Sequence, residues 1–259
     1  MSDRTPRSRQ FRHRLKRREH LLGTFLKTPT GHATEMLGSM GYDFVIIDGE
    51  HAPFSLEQID HMVLAARAAD IAALVRVGDA TSGAILSVLD LGATGILVPH
   101  VDSAARAREI AEACRYKGGK RGFATTTRAG GFGDASFSRH RAEQDDQVVC
   151  IAMIEDHDAL DRLDEIAAVP GLDAFFIGRG DLTSALGLDD QTDPRTREAV
   201  TRIMAAARKA DMPTMVLPSN RADAADMHGL GASAFVLYND HGMFKRAARD
   251  ALKEFAAPL

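Results

Sequence analysis

Eight short apolar runs, spaced along almost the whole chain, constrain the fold more than any other feature of the sequence. Each run is rich in Val, Ile, Leu and Phe, and each is bounded by Gly, Asp or Pro. Apolar strands with little polar alternation are typical of parallel sheets covered on both faces. The pattern therefore predicts an α/β protein with a parallel sheet. The runs cover residues 21–26, 43–48, 72–77, 95–100, 148–155, 174–180, 213–218 and 234–240.

Amphipathic segments of helical length lie between these runs, and one more follows the last run. Several of them end at a glycine, the residue that most often stops a helix. Eight strands alternating with helices predict a (β/α)₈ TIM barrel, with a doubly wound open sheet as the alternative. The stretch 117–147 shows no clear periodicity and is predicted to be a long functional or mobile loop. We predict a single barrel domain over residues 21–259.

The first twenty residues differ from the rest in charge. They contain eight Lys and Arg against Asp3 and Glu19, whereas the whole chain has a net charge of −4. We interpret residues 1–20 as a basic arm or a first helix. A basic arm can contact nucleic acid, but this one is poor in aromatic residues and precedes an acidic body. No nucleic-acid partner is therefore predicted.

Composition argues against several classes of protein. The chain is 45% hydrophobic and 26% charged, as an ordinary globular protein is. No run reaches the roughly eighteen apolar residues of a membrane helix, and the basic start lacks the apolar core of a secretory signal. The two cysteines, Cys114 and Cys150, predict no disulfide framework. These features predict a cytoplasmic protein without a membrane partner.

Acidic residues follow two neighbouring predicted strands, at the barrel face that carries active sites in this architecture. Glu155 and Asp181 can each offer carboxylate oxygens to one Mg²⁺ or Mn²⁺ ion. Alternatively, each acid pairs with an arginine, or Asp181 caps a helix that begins at Leu182. Cysteine and histidine clusters with zinc spacing are absent from the sequence. The sequence thus indicates an oxygen-ligand metal site as one of two interpretations.

A histidine and an arginine lie at the same predicted face. His51 follows the second run and is a candidate general base, which Asp48, Glu50 or Asp90 would orient. Arg76 ends the third run, where it either binds a carboxylate or enolate oxygen or forms a salt bridge with Asp48 or Glu50. Both residues are candidates for chemistry on an oxo acid.

Lysine is missing from all eight runs. A Schiff-base aldolase needs a buried lysine inside the barrel, so the sequence favours a metal ion for stabilising a carbanion. The glycines of Gly178-Arg179-Gly180 precede a predicted helix and would expose backbone N–H groups to an anion.

Six motifs occur in one order along the chain: FVIIDGEHAPFSLEQI, LVRV, LDLGATGILVPHV, RYKGGKRGFA, MIED and FFIGRGDLTSALG. Together they resemble the HpcH/HpaI aldolase family, the class II pyruvate aldolases related to the 2,4-dihydroxyhept-2-ene-1,7-dioate and 2-keto-3-deoxy sugar acid aldolases. The resemblance covers roughly residues 11–250. It implies a barrel of the phosphoenolpyruvate/pyruvate-domain type with an exchanged C-terminal helix, assembled as a hexamer or trimer.

The resemblance also implies a reaction and a set of roles. The reaction is reversible cleavage of a 4-hydroxy-2-oxo acid to pyruvate and an aldehyde through a metal-bound pyruvate enolate. The implied roles are Mg²⁺, Mn²⁺ or Co²⁺ ligation by Glu155 and Asp181, base catalysis by His51 assisted by Asp90, contact of Arg76 with the pyruvate carbonyl, and binding of its carboxylate by the amides of Gly180 and Asp181.

Three departures from the family pattern point to a different substrate. Met153 stands where many members have Gln, GRGDL with Arg179 replaces GPADL or GPNDL, and FVLYNDHGMF lacks a Gly-x-Asp pattern. Arg128 and Arg179 are candidates for binding a second acidic group. Two alternatives remain: an acyl-CoA lyase like citrate lyase β or malyl-CoA lyase, and a barrel that binds oxo acids without turnover.

Overall fold

A closed barrel of eight parallel strands forms the centre of the molecule, for which a computed structural model describes residues 6–256. The strands are β1 (Leu21–Leu26), β2 (Phe44–Asp48), β3 (Ala72–Arg76), β4 (Gly95–Val98), β5 (Val149–Ile154), β6 (Ala174–Ile177), β7 (Thr214–Val216) and β8 (Ala234–Asn239). They pair in chain order, and β8 closes onto β1. Each predicted run contains one strand, so the predicted (β/α)₈ barrel is confirmed and the open sheet is excluded.

Helices surround the barrel. Within residues 6–256 they are α1 (Phe11–Lys16), α2 (Gly31–Ser39), α3 (Leu56–Ala68), α4 (Ser82–Asp90), α5 (Ala104–Ala113), α6 (Phe137–Gln147), α7 (Leu163–Ala167), α8 (Arg179–Ala185), α9 (Pro194–Lys209), α10 (Arg221–Leu230) and α11 (Asp240–Phe255). Local signals start many of them: Ser55 and Gln58 form a capping box at α3, and Asp193 precedes Pro194 at α9. No helix in this part of the chain is both long and apolar enough to cross a membrane.

The strands divide the apolar core into two layers. Along β2, Phe44 and Ile46 belong to the cluster inside the barrel, whereas Val45 and Ile47 belong to the cluster between strands and helices. This follows from the two-residue period of a strand. A Cβ atom at Gly23 would overlap the ring of Phe44, so the interior is filled where β1 and β2 meet. The barrel is therefore a packed core, so a site that is accessible to a ligand must lie at one of its ends.

The described part of the basic arm, residues 6–20, contributes to this core, whereas residues 1–5 of the predicted arm lie outside the described residues. After a 3₁₀ turn (Ser8–Gln10), α1 places Phe11 and Leu15 in the inner cluster, with the Phe11 ring 5.3 Å from the Phe44 ring. Phe44 is the first residue of β2, so α1 covers the amino ends of the strands. The charges of α1 point outward, and its apolar residues close the floor of the barrel.

Buried Asp173, just before β6, fastens the arm to the barrel. Its Oδ1 accepts a hydrogen bond of 2.8 Å from Nε of Arg12, and its Oδ2 accepts one of 2.7 Å from Nη2 of Arg115. Arg12 also donates to the carbonyls of Asp145 and Asp146 at the end of α6. The Arg12 guanidinium therefore links α1 to the end of α6 and to the start of β6.

Substitution of Arg12 by methionine is expected to reduce the free energy of unfolding by about 1–3 kcal/mol, because buried acceptors lose a donor. Arg18→Met is the matched control, since its partner Asp211 is 90% exposed; such a pair contributes about 0.5 kcal/mol or less. Urea denaturation of both variants measures the difference. Equal losses would show that the Arg12 contact is no stronger than a surface ion pair.

The predicted loop 117–147 is instead largely ordered, so that prediction was wrong. It contains a 3₁₀ segment (Arg128–Gly133) and the whole of α6. Within α6 only His140 is buried, which is why the segment shows no apolar periodicity. Polar contacts hold it: Ser136 caps the helix, and the Tyr116 hydroxyl lies 3.1 Å from Nε2 of His140.

The last helix has no buried residue. Between Asp240 and Phe255, the large apolar side chains Phe244, Leu252 and Phe255 are all exposed. The start of α11 is held by the barrel: Asp240 accepts hydrogen bonds from the backbone N–H groups of Lys27 and Thr28. An apolar helix face of this kind normally contacts a partner.

Candidate active site

Charged side chains collect at the carboxyl ends of the strands. Their placement follows from the barrel topology, since each one ends a strand or begins the connection after it. They are Lys27 after β1, Asp48 and Arg76 at the ends of β2 and β3, Glu50 and His51 after β2, His100 after β4, Glu155 after β5 and Asp181 in the first turn of α8.

Arg76 is held rigidly by two carboxylates. Its Nε and Nη2 donate to the two oxygens of buried Asp48 at 2.9 and 2.8 Å, and its Nη1 lies 3.2 Å from Oε2 of Glu50. Its guanidinium carbon lies 4.8 Å from the centre of the Phe25 ring, and Nζ of Lys27 lies 3.0 Å from Asp48. The salt bridges of Arg76 with Asp48 and Glu50, which were one of the alternatives left open by the sequence, are therefore present in the structure.

Asp48 is charged in this setting. Burial alone would raise the pKa of its carboxyl, but Arg76, the backbone N–H of His51 and Lys27 outweigh burial and lower the pKa. A buried anion between two cations fixes the direction of the Arg76 fork. Nη1 of Arg76 is not used by Asp48 and lies near Glu50 instead.

Glu155 has the opposite environment. Its side chain is 1% exposed, and its Oε1 accepts a hydrogen bond of 2.9 Å from the backbone N–H of His100. Its Oε2 has no hydrogen-bond partner among the described residues. Burial raises the pKa of Glu155 to about 7; His100 opposes this shift, and the charges of Asp181 and Glu50 add to it. A buried carboxylate with one unpartnered oxygen is costly unless it meets a ligand or a cation.

Gly178 makes room for this carboxylate. A Cβ atom there would lie 2.5 Å from Oε2 of Glu155 and 2.7 Å from Cε of Met153. Only glycine fits between them. Met153 is thus packed inside the barrel directly beside Glu155.

Asp181 is the second carboxylate near Glu155. It is exposed in the first turn of α8 and close enough to affect the charge of Glu155. Glu155 and Asp181 therefore lie within electrostatic range of each other, and their role as metal ligands stays a prediction. Gly180 is exposed in the same turn.

Arg128 and Arg179 do not face this site. Arg179 donates to both oxygens of Asp223 at 2.9 and 2.6 Å, and Arg128 donates to both oxygens of Asp60 at 2.7 Å. The prediction that these two arginines together bind a second acidic group is wrong for this chain, because each is already paired in a different part of the fold.

His51 and Asp90 are not brought together within one chain. The ring of His51 lies 3.5 Å from Oε2 of Glu50 at the carboxyl end of the barrel. Asp90 is the last residue of α4, which runs back toward the amino ends of the strands, and its Oδ1 accepts from Nη2 of Arg121 at 3.3 Å. In the single chain, Glu50 is the carboxylate that contacts the His51 ring.

The sequence interpretation missed His100 and Lys27. His100 has a left-handed backbone (φ 54°), which aims its N–H at Glu155 while its ring meets Asp156 at 3.1 Å. Burial alone would lower the pKa of His100, but Asp156 and Glu155 outweigh it and raise the pKa. His100 is the last residue of the fourth apolar run, and Lys27 directly follows the first. A search for polar residues at the carboxyl ends of all predicted strands would therefore have found both.

A divalent cation fits the carboxylates. No group of three or more His, Cys, Asp or Glu side chains in residues 6–256 is arranged as a metal site. Mg²⁺, however, is commonly held by one or two carboxylates together with water and substrate. The unpartnered Oε2 of Glu155 is the acceptor that such an ion would satisfy.

The sequence profile of the HpcH/HpaI aldolase/citrate lyase family matches residues 21–241. The chain belongs to this family. A 2-dehydro-3,6-dideoxy-6-sulfogluconate aldolase of Pseudomonas putida is 35% identical over 201 residues, which is 77% of this chain and 78% of that protein. A 2-keto-3-deoxy-L-rhamnonate aldolase of Escherichia coli K12 is 34% identical over 210 residues, 78% of each chain.

Solved structures of the HpcH/HpaI family agree with the barrel. A family protein from Burkholderia cenocepacia J2315 superimposes with a TM-score of 0.90 at 29% identity, covering 96% of this chain and all of the other. A citrate lyase β subunit from M. tuberculosis reaches a TM-score of 0.56 at 18% identity, which shows a shared fold alone. The family prediction and the prediction of an aldolase-type lyase are confirmed.

Proposed function

We propose that this family member is a divalent-metal-dependent aldolase that reversibly cleaves a 4-hydroxy-2-oxo acid to pyruvate and an aldehyde. The observation that carries the proposal is the buried Glu155 carboxylate, with one oxygen unpartnered beside Asp181. The relatives named as aldolases of 2-keto-3-deoxy acids support the same substrate class. Their substrates carry a 2-oxo acid end and a hydroxyl at the carbon that becomes the aldehyde.

Two carboxylates would hold the ion. Glu155 and Asp181 are the proposed ligands of Mg²⁺, Mn²⁺ or Co²⁺, whose positive charge, when bound, stabilises the enolate of pyruvate. The backbone amides of Gly180 and Asp181, exposed in the first turn of α8, are proposed to hold the pyruvate carboxylate. Met153 gives this site a drier wall than glutamine would.

Arg76 is proposed to contact the 2-oxo oxygen. Its fork is fixed by Asp48 and by the Phe25 ring, so it needs little reorganisation when negative charge develops on that oxygen. Lys27 shares the Asp48 carboxylate with Arg76 and helps to balance its buried charge.

His51 is proposed to take the proton of the 4-hydroxyl. The C3–C4 bond then breaks, its electron pair passes to C3 and the 2-oxo oxygen, and a proton is returned to C3 of the product. Glu50 contacts the His51 ring in the single chain. Asp90, the assisting residue that the family resemblance implies, can serve only from another copy of the chain, because its own α4 carries it to the opposite end of the barrel.

We therefore propose a homo-oligomer, a hexamer or trimer, in which α11 is exchanged. The exposed apolar face of α11, with Phe244, Leu252 and Phe255, supports this assembly. We also propose a cytoplasmic location, which the two buried free cysteines, Cys114 and Cys150, support.

Pyruvate release from a series of 4-hydroxy-2-oxo acids tests the proposal. We expect turnover without coenzyme A, a fall to background after exhaustive chelation, and recovery on addition of Mg²⁺, Mn²⁺ or Co²⁺. Full activity after chelation would contradict the metal site. Cleavage of an acyl-CoA instead would identify an acyl-CoA lyase, and pyruvate binding without any turnover would identify a non-catalytic barrel.

A further inference from the structure

A cavity of about 230 Å³ lies at the end of the barrel opposite the candidate active site. Ala73, Thr94 and Val148 line it, and they stand at the amino ends of β3, β4 and β5. The 3₁₀ turn of the arm, α3 and the end of α6 form its walls. It is smaller than the pockets that hold drug-sized ligands, which measure roughly 300–1,000 Å³, so it suits a ligand of a few heavy atoms.

One half of the cavity is apolar and the other is cationic. The apolar half includes Val63, Ile71 and Val148, while Arg9 and Arg67 line the other half. None of the described residues that line the cavity is acidic. The cavity also has polar side chains, those of Ser8, Thr94, Gln144 and Gln147. The side-chain amide oxygen of Gln144 accepts a hydrogen bond from Arg121, which leaves the side-chain N–H groups of Gln144 to donate elsewhere.

The cationic half of the cavity is formed by Arg9 and Arg67, which are both exposed residues. Arg67 and Arg128 both pack over Gly92, and Nη1 of Arg67 donates to the Arg128 carbonyl at 3.3 Å. Burial, and then the charges of Arg128 and Arg9, lower the pKa of Arg67. Neither Arg9 nor Arg67 forms a salt bridge with a carboxylate in residues 6–256.

The acids nearby are already occupied. Asp60 is bound by Arg128, and both oxygens of Asp70 accept hydrogen bonds from the arm, from the backbone N–H groups of Arg7 and Ser8 and from the Ser8 hydroxyl. Asp145 accepts from the backbone N–H groups of Tyr116 and Lys117. The two arginines that line the half-apolar cavity, Arg9 and Arg67, therefore have no carboxylate partner in residues 6–256, and their neighbour Arg128 is paired with Asp60.

From this arrangement we propose that the cavity binds a small oxyanion with a short apolar chain, held by the guanidinium groups of Arg9 and Arg67. Guanidinium groups match the oxygens of carboxylates and of sulfate or phosphate groups alike. The ligand would bridge the arm and α3, and it would therefore fasten the floor of the barrel. This site is separate from the oxo acid site and does not depend on the proposed function.

Calorimetric titration of the full chain with sodium butyrate and with sodium sulfate tests the proposal, with sodium chloride of equal ionic strength as the reference. We expect saturable binding of at least one probe, weakened at least tenfold in Arg9→Gln/Arg67→Gln and less in each single variant. Arg108→Gln is the matched control, because Arg108 is an exposed helical arginine outside the cavity. Butyrate binding alone indicates a carboxylate ligand, and sulfate binding alone indicates a sulfate or phosphate ester.

A repeat of the titration with the Glu155→Gln variant separates the two ends of the barrel, because this substitution changes the candidate active site and not the cavity. Binding should persist, since the cavity lies at the amino ends of the strands. The proposal is overturned if neither probe binds beyond the chloride reference, if binding is lost in Glu155→Gln, or if the arginine variants bind as the Arg108 variant does.

Discussion

Replacing Glu155 by glutamine is expected to lower kcat/KM for a 4-hydroxy-2-oxo acid by about a thousandfold, or roughly 4 kcal/mol of transition-state stabilisation. The amide still fills the space beside Gly178 and still accepts from the His100 N–H, but it carries no charge for a cation. Titration with Mn²⁺ should show the parallel loss of metal affinity. Wild-type turnover in this variant would remove the central support for the proposed function.

The same variant makes a second measurement possible in the metal-free protein. The pKa of Glu155 is raised from 4.5 to about 7, so the folded state keeps a proton that the unfolded state gives up. This group therefore favours folding below about pH 4.5, and its contribution falls as the pH rises to about 7, by about 3 kcal/mol in total. Above pH 7 the carboxylate is charged in both states and no further change follows.

Urea denaturation at pH 5 and pH 8 tests this pH dependence. Glu155→Gln should lose less stability than the wild type between the two values, whereas Glu198→Gln, at an exposed position of α9, should follow the wild type. Parallel curves for all three proteins would contradict the raised pKa.

Replacing Arg76 by methionine is expected to cost about 3–5 kcal/mol of stability, because it leaves the fully buried Asp48 without its bidentate partner. Lys27 remains beside Asp48, which places the expected loss toward the lower end of that range. Pyruvate release should also fall at least a hundredfold, since no fixed cation then faces the 2-oxo oxygen. Thermal unfolding and pyruvate release give the two readouts.

A double-variant cycle separates folding from chemistry at Arg76. Adding Asp48→Asn removes the unpaired buried charge, so the double variant should recover much of the lost stability while turnover stays low. If the double variant instead loses as much stability as the two single variants together, Asp48 and Arg76 do not act as a pair.

The barrel and the position of the site could be predicted because both depend on local patterns. Each strand is a continuous apolar run, and parallel topology brings residues such as Glu155 and Asp181 to one end without any knowledge of loops. The arrangement within the site could not be predicted. Whether Arg76 meets Asp48, Glu50 or a ligand depends on side-chain packing, and the sequence left those alternatives open.

Elements that are held by polar contacts also could not be recognised from the sequence. Helix α6 buries His140 alone, so it lacks the periodic apolar face by which helices are recognised. The arm was interpreted from its charge alone, so the packing of Phe11 and Leu15 was not predicted. Their four-residue spacing places both on the helix face that enters the core. Asp90 was assigned by resemblance, and a single chain does not bring it to His51.

The contacts that hold the arm on the barrel can form only late in the synthesis of the chain. Arg12 and Asp173 are separated by 161 positions, and β1 also pairs with β8. Contacts between such distant parts of a chain form slowly. On the ribosome, the segment with Phe11 and Leu15 therefore emerges well before Asp173, the distant acceptor of Arg12, has been synthesised.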